Sequence, residues 1–368
     1  MKKSIIADDL KQYDSNLHLS KFTGSRVFIT GDTGFKGSWL AFLLSQLGAD
    51  VMGFALPPTS NRNHFELLEL NKKITHIDGD IRNASQLSEA INKFQPDFVF
   101  HLAAQALVRK SYADPVGTFS TNVMGSVSLL DAVRKCNSIR SLVFVTSDKC
   151  YENVEWIWGY RENDLLGGRD PYSASKGAAE LIFSSYVRSY FSHRHSFGAA
   201  TARAGNVIGG GDWANDRIVP DCIRSIEADK PIVLRNPGAT RPWQHVLEPI
   251  AGYLLLAIRL FEEPKKWGGS WNFGPSTLEV RTVRNVAEVI IKLLGKGSIE
   301  IIENNNNLHE AQLLQLNCEK AHQLLGWIPR WNVDHTLNAT ALWYKTIIEG
   351  GSAEDITRNQ IKSYFKEV

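Results

Sequence analysis

"TGDTGFKG", residues 30–37, decides how the rest of the chain is read. It follows the short apolar run "RVFIT" (26–30), and after it Leu40, Leu44 and Leu47 recur at helical spacing as far as Gly48. Gly31, Gly34 and Gly37 therefore fall between a predicted strand and a predicted helix. Such a loop needs residues without side chains so that its amides can approach a pyrophosphate. The helix that follows offers free N–H groups and its positive end to the anion. Three spaced glycines by themselves would describe a tight turn. With a strand before and an amphipathic helix after, they predict a dinucleotide cradle, with Thr33, Phe35 and Lys36 beside the glycines.

The alternation continues outward from that loop. "DVMGFAL", "ITHID" (74–78), "DFVFHLAA" (97–104) and "RSLVFVTS" (140–147) read as further strands. Helical patterns separate them, one before Gln95-Pro96, one from Thr118 to Lys135 and a long one over 171–191. This order predicts an α/β fold, a Rossmann-type doubly wound parallel sheet with a smaller α/β substrate-binding lobe. The expected divisions are an N-terminal arm over 1–22, a dinucleotide-binding domain over 23–206 plus about 244–272, a lobe formed by 207–243 and 273–350, and a C-terminal tail over 351–368. "VLEPIAGYLLLAIRLF" (246–261) is apolar enough to pack on the large sheet, and the Asn run 304–307 reads as a loop.

Bulk properties exclude several function classes. The 368 residues carry a formal net charge of +2, which gives no reason to expect nucleic acid or a membrane as partner. The longest apolar stretch, Ile250 to Ile258, is well short of the roughly 20 residues that span a bilayer. Cys136, Cys150, Cys222 and Cys318 form no Cys-x-x-Cys pair, and no secretory signal opens the chain, so a cytoplasmic setting with reduced thiols is expected. No metal site is expected, since His193 and His195 are two apart on a helix end and point away from each other.

The second strand ends in "GFALPP", without the acid that ordinarily receives the adenosine ribose. Asp32, Lys36 and Arg62 are the polar candidates nearby. Arg62 would instead suit a 2′-phosphate, so the loop leaves NAD and NADP both open. Asp80, in "DGDIRN" (78–83), stands at a strand end suited to adenine.

Tyr172 and Lys176 lie four apart, on one face of the long helix that starts beyond the fifth strand's carboxyl end. A neighbouring ammonium and an oxidised nicotinamide would lower the tyrosine pKa from its usual value near ~10. Tyr172 would then accept a hydroxyl proton while hydride leaves the same carbon. "TSDKCYEN" (146–153) ends the fifth strand with Ser147, Asp148 and Lys149 side by side. On a surface they would be an ordinary turn. At the carboxyl edge of a parallel sheet they face the same crevice as Tyr172.

With "HLAAQ" (101–105), Asn122 in "STNVMGS" and "YSASK" (172–176), these motifs resemble the extended short-chain dehydrogenase/reductase family. "GFKGSWL", "WGYRENDLLGGRDPYSASK", "GNVIGGGDWANDRIVPD" and "RPWQHVLEP" are similar to the branch of that family that dehydrates CDP-glucose, over most of residues 26 to 335. The resemblance implies tightly bound NAD, contacted by Gly31, Thr33, Gly34, Phe35, Lys36, Gly37, Asp80, Ile81, Leu102, Ala103, Ala104, Asn122, Tyr172 and Lys176. It implies a nucleotide-sugar substrate, CDP-glucose, held by Asn206, Arg217 and Arg241, and a homo-oligomer, dimer or tetramer.

In the reaction it implies, Tyr172 takes the C4 hydroxyl proton, Ser147 hydrogen-bonds the same oxygen and Lys176 holds the cofactor ribose. A base removes the C5 proton, and Asp148 protonates the departing C6 hydroxyl. Hydride then returns to C6. Lys149 stands where dTDP-glucose dehydratases carry Glu, and Lys149, a bound water or another group is the candidate base. Two departures accompany the likeness: Asp32 replaces a more frequent His, and the second-strand acid is missing. A nucleotide-sugar 4-epimerase, which would not need Asp148 and a second base, a 4,6-dehydratase of another nucleotide-linked hexose, and a catalytically silent NAD-binding regulator are the competing expectations.

Overall fold

The computed structural model describes residues 18–366, except 59, 61, 277–279 and 303–312. Most of the expected arm and the Asn run 304–307 lie outside the described residues. Seven strands form one parallel sheet: β1 (Arg26–Thr30), β2 (Asp50–Ala55), β3 (Thr75–Asp78), β4 (Phe98–His101), β5 (Ser141–Val145), β6 (Gly198–Arg203) and β7 (Gly269–Asn272). Their order across the sheet is β7-β6-β5-β4-β1-β2-β3. The central strands β1, β4 and β5 are short, rich in β-branched and aromatic residues and buried on both faces, as a sheet covered by helices on both sides requires.

Side-chain alternation sorts each strand between two apolar layers. Val27 and Ile29 of β1 and Val143 and Val145 of β5 enter one layer, while Phe28, Leu142 and Phe144 enter the other. The first layer is closed by α1 (Phe35–Gln46), and the second by α2 (Ala84–Phe94), α3 (Gly125–Lys135) and α4 (Pro171–Tyr186). Each large apolar side chain fully removed from water contributes roughly 1.5–3 kcal/mol, so these layers hold the sheet flat against its helices.

β1 leads to a helix on one face and its neighbour β4 leads towards helices on the other. The crevice between their carboxyl ends is therefore the switch point at which such sheets bind ligands.

The chain beyond β6 builds α5 (Ile218–Glu227), α6 (Leu247–Glu262), α7 (Val283–Leu294), α8 (Val333–Ile348) and α9 (Ala353–Lys366). Three two-stranded pairs accompany them: Val207–Ile208 with Gln244–His245, Ile232–Leu234 with Ile299–Ile301, and antiparallel Thr240–Pro242 with Val280–Thr282. Helix α6, almost wholly buried, lies along β5 and β6, and the Ser141 hydroxyl donates to the Ala257 carbonyl at 2.9 Å.

The described residues nearest each end of the chain are packed on the core. Leu19–Phe22 is a 3₁₀ turn, and Phe22, at full burial, sits 4.9 Å from Phe98 and 6.3 Å from Phe100. These last residues of the expected arm are core. The expected tail is the packed helix α9, whose Thr357, Ile361, Tyr364 and Phe365 share one buried face. Tyr364 donates to Glu248 at 2.7 Å, and the Trp343 indole donates to Thr357 at 2.9 Å.

The two longest expected helices are also interrupted. Residues 115–135 run through a π turn at Ser120–Met124, and 171–191 end in a π turn at Val187–Phe191.

Candidate active site

The glycine loop is built by backbone packing. Gly31 has φ +79°, and a Cβ there would lie 2.7 Å from the Ala103 nitrogen; a Cβ on Gly37 would lie 2.0 Å from the Gly31 carbonyl oxygen. Side chains are thus excluded on both sides of the loop. Helix α1 starts after Gly34 with no side-chain cap, so its first amides stay open. They face a cleft of about 540 Å³ whose lining includes Gly31, Gly34, Phe35, Lys36, Gly37, Leu102 and Ala104.

The same cleft is lined by Ser147, Asp148, Lys149, Tyr172 and Lys176, and by Asn206, Arg217 and Arg241. Ser147 leaves β5 in extended conformation and caps the short turn Asp148–Cys150, where its oxygen accepts from the Lys149 amide at 3.3 Å. The same hydroxyl donates to Asp148 Oδ1 at 2.8 Å. Asp148 rests against bare backbone: a Cβ on Gly205 would lie 1.9 Å from its Oδ2. Helix α4 is started by the Asp170 side chain, which accepts from the Ser173 amide at 2.9 Å, with Pro171 in the first turn. The Tyr172 amide donates to Ser111 Oγ at 3.1 Å, which anchors that turn at the cleft wall.

Burial dominates the electrostatics. It pushes the Tyr172 phenol up to about 12, with Asp148 adding to the rise, while its hydrogen bond with Ser147 and the charge of Arg217 oppose it. The expected lowering is thus not a property of the chain alone. Burial lowers Lys176 to about 8, and Lys36 to about 8 with Arg217 and Lys176 adding to the fall. Lys36, at the start of α1, consequently shares a cleft with Asp148, Lys176 and Asp212. Arg217 is raised, chiefly by Asp212, which accepts from its Nη1 at 2.7 Å.

Five residues expected at the cofactor stand outside the cleft lining. Thr33 donates to the Leu56 carbonyl at 2.9 Å, and Asp80 is paired with Arg82. Ile81 is packed beneath Gly125, and the Ala103 amide donates to Thr30 Oγ1 at 3.3 Å. Asn122 accepts from the Gln105 amide at 2.8 Å and donates to Ser175 at 2.9 Å, so it ties the loop after β4 to α4.

Two ribose candidates are engaged elsewhere. Asp32 is fully buried and bonded to His76 at 2.6 Å, in space that Gly53 leaves free. Arg62 makes two 2.8 Å bonds to Glu227 and lies 3.9 Å over the Trp213 ring.

Arg109, Asp216 and Arg235 line the cleft and were not singled out by their sequence setting. Asp216 accepts from Arg235 at 3.1 Å and lies 3.5 Å from Arg109. Only Asp216, one residue before Arg217, carried a local signal. Among the described residues, no group of three or more His, Cys, Asp or Glu is placed to hold a metal ion, and no helix is long and apolar enough to cross a membrane.

The sequence family described as GDP-mannose 4,6 dehydratase matches residues 28–340. The CDP-glucose 4,6-dehydratase of Salmonella typhimurium is 47% identical over 346 residues, covering 93% of this chain and 96% of that protein. Among solved structures, the UDP-glucose 4-epimerase of Thermus thermophilus in complex with NAD is 26% identical with a TM-score of 0.74, covering 87% of this chain and 99% of that one. The dTDP-glucose 4,6-dehydratase of Bacillus anthracis in complex with NAD has a TM-score of 0.75 at 23% identity, covering 89% of this chain and 99% of that one, a likeness of fold.

Proposed function

Because the chain belongs to the GDP-mannose 4,6 dehydratase family, within the extended short-chain dehydrogenases/reductases, we infer that it is a hydro-lyase that removes water from a nucleotide-linked hexose. The substrate is CDP-D-glucose and the product CDP-4-keto-6-deoxy-D-glucose. The observation that carries this reading is the meeting of Ser147, Asp148, Lys149, Tyr172 and Lys176 in one cleft with the glycine cradle, in a chain 47% identical to a CDP-glucose 4,6-dehydratase. Asp148 and a neighbouring amine have no task in a C4 epimerisation, which disfavours the epimerase.

The residues fit NAD: open amides at the start of α1, glycines whose Cβ atoms would collide with backbone, and Lys36 and Lys176 within the cleft. When bound, NAD supplies a hydride acceptor that later returns the hydride to the same sugar. Arg62, already held by Glu227, is not available to a 2′-phosphate. Gly37→Ala drives a methyl into the Gly31 carbonyl; overpacking of that kind costs typically about 1–3 kcal/mol. NAD affinity, measured by titration calorimetry, should fall on the order of tenfold or more.

Tyr172 accepts the C4 hydroxyl proton, and Ser147 holds that oxygen in line. Lys176 holds the ribose and keeps a positive charge one turn from Tyr172. Once C4 is a ketone, the C5 proton is acidic. Lys149, flanking Asp148, is the group we assign to its removal, its neutral amine accepting the proton, while Asp148 gives its proton to the departing C6 hydroxyl. Lys149→Met should exchange C5 deuterium on the order of 10²-fold slower than the unsubstituted chain. Normal exchange, followed by mass spectrometry, would return the task to a water. Arg217 and Arg241 meet the diphosphate, for which guanidinium forks are suited, and Asn206 lines the same cleft.

The setting is cytoplasmic; all four cysteines are unpaired and buried. Self-association uses the outer faces of residues 115–124 and of α4, where Val116, Met124 and Leu181 stand exposed. A panel of CDP-, dTDP-, GDP- and UDP-hexoses, scored by mass for loss of water, tests the whole reading. CDP-glucose should react; unchanged masses throughout would remove it.

A further inference from the structure

Tyr172, Lys176 and Glu180 occupy successive turns of α4, on one face. The first two line the cleft, while Glu180 is buried behind it, its side chain 2% exposed. Its carboxylate is fully engaged. Oε1 accepts from Thr146 Oγ1 at 2.5 Å and from Arg203 Nε at 2.9 Å. Oε2 accepts from Arg203 Nη2 at 2.8 Å, from Thr201 Oγ1 at 2.9 Å and from Ser270 Oγ at 3.4 Å. Thr146 immediately precedes Ser147; Thr201 and Arg203 belong to β6, just before Gly205, on which Asp148 rests; Ser270 belongs to β7. Arg203 continues the network, donating to the Tyr151 hydroxyl at 2.7 Å and the Glu162 carbonyl at 2.9 Å. One carboxylate therefore joins the helix that carries Tyr172 and Lys176 to the strand ends that carry Ser147 and support Asp148.

We propose that Glu180 is a positioning residue for the dehydration: it fastens α4 in register with β5 and β6 and supplies the negative charge one turn behind Lys176. The assignment of a catalytic task to that register rests on the function inferred above; the electrostatic part does not. Apolar packing alone would hold α4 against the sheet without a buried ion pair, whose desolvation is costly. Hydrogen bonds from two strands to one charge fix a rotation and a translation that apolar contacts leave looser.

The charge has a second consequence. Facing Lys176 are Tyr172 on its own helix, with Nζ 6.0 Å from the ring centroid, Cys150 from the turn after β5, Lys36 from α1, His101 from β4 and Glu180. Burial lowers Lys176 to about 8, and Cys150 and Glu180 pull it back up. The ammonium is present below that pKa and lost above it. Removing the Glu180 charge moves the loss to lower pH.

The test uses the full chain and the variants Glu180→Gln and Glu180→Asp. Lysines are reductively ¹³C-methylated and titrated by NMR, with the Lys176 signal assigned through Lys176→Arg. In Glu180→Gln, Lys176 should titrate at a pH lower by on the order of one unit than in the unsubstituted chain, and in Glu180→Asp close to it. In turnover of CDP-glucose, Glu180→Gln should lose on the order of tenfold or more in kcat with little change in KM, and its alkaline limb should move in the same direction. The paired variant Glu180→Met with Arg203→Met removes both buried charges; should Glu180→Gln not fold, the same acid-ward shift is expected there. An unmoved Lys176 titration in a folded variant lacking the Glu180 charge overturns the proposal. So does an unaltered kcat. Absence of turnover in the unsubstituted chain overturns the inferred function and with it the catalytic half, while the NMR titration still decides the electrostatic half.

Discussion

Tyr172→Phe should leave a folded, NAD-binding chain whose kcat for CDP-glucose has fallen on the order of 10³-fold, within the range general acid–base groups contribute. The phenol is the group placed to receive the C4 proton, and a phenyl ring fills the same buried space without doing so. Its surroundings make the loss hard to rescue. Burial pushes the phenol up to about 12, opposed within the chain by the Ser147 hydrogen bond and by Arg217. The remaining lowering must come with the positively charged nicotinamide. In kcat against pH, the acid limb set by Tyr172 should therefore lie well below 12 once NAD is bound. Ser147→Ala, which removes the hydrogen bond, should shift that limb upward. A Tyr172→Phe variant with near-normal turnover would show that another group takes the proton.

Asp148→Asn should have an effect of the same order, on the order of 10²–10³-fold in dehydration, with a different signature. Oxidation at C4 depends on Tyr172 and survives the substitution, so the variant should accept hydride from C4 yet release water slowly. Reduced cofactor absorbance in single turnover would rise and persist, where the unsubstituted chain returns it quickly. Gly205→Ala offers an independent route to the same state. Its methyl would lie 1.9 Å from Asp148 Oδ2, which forces the carboxylate from its place beside Ser147. Agreement between the two variants would tie the water-loss step to the position of this carboxylate. A Gly205→Ala variant that dehydrates normally would separate them.

The central sheet was legible because its signals are local. A strand, three glycines and a helix lie within residues 26–47, although that helix is buried on nearly every side and not amphipathic as its leucine spacing implied, and the strand-helix alternation repeats to β6. Tyr172 and Lys176 could be found because one helix carries both. Residues whose partners are distant in sequence could not be placed. Arg62 looked free for a phosphate, yet its partner Glu227 lies 165 positions away. Asp32 looked available to a ribose, yet it is closed off by His76 of β3.

The chain ends misled for a different reason. Leu19 and Phe22 stand among polar neighbours, and only the packing of Phe22 on Phe98 makes them core. In α9 Thr357, Ile361, Tyr364 and Phe365 recur at helical spacing, a pattern that the expectation of a tail beyond the family likeness leaves unused. Glu180 carried a readable signal as the next residue in the series Tyr172, Lys176, Glu180, although its role depends on Thr146, Thr201 and Arg203, which only the folded sheet assembles.

The most direct measurement is incubation of the chain with CDP-glucose deuterated at C4, followed by mass and NMR analysis of the product. The sugar should lose one water and carry the deuterium at C6, with no net consumption of NAD. A product of unchanged mass, or one dehydrated with the deuterium lost to solvent, would contradict the internal return of hydride within this cleft.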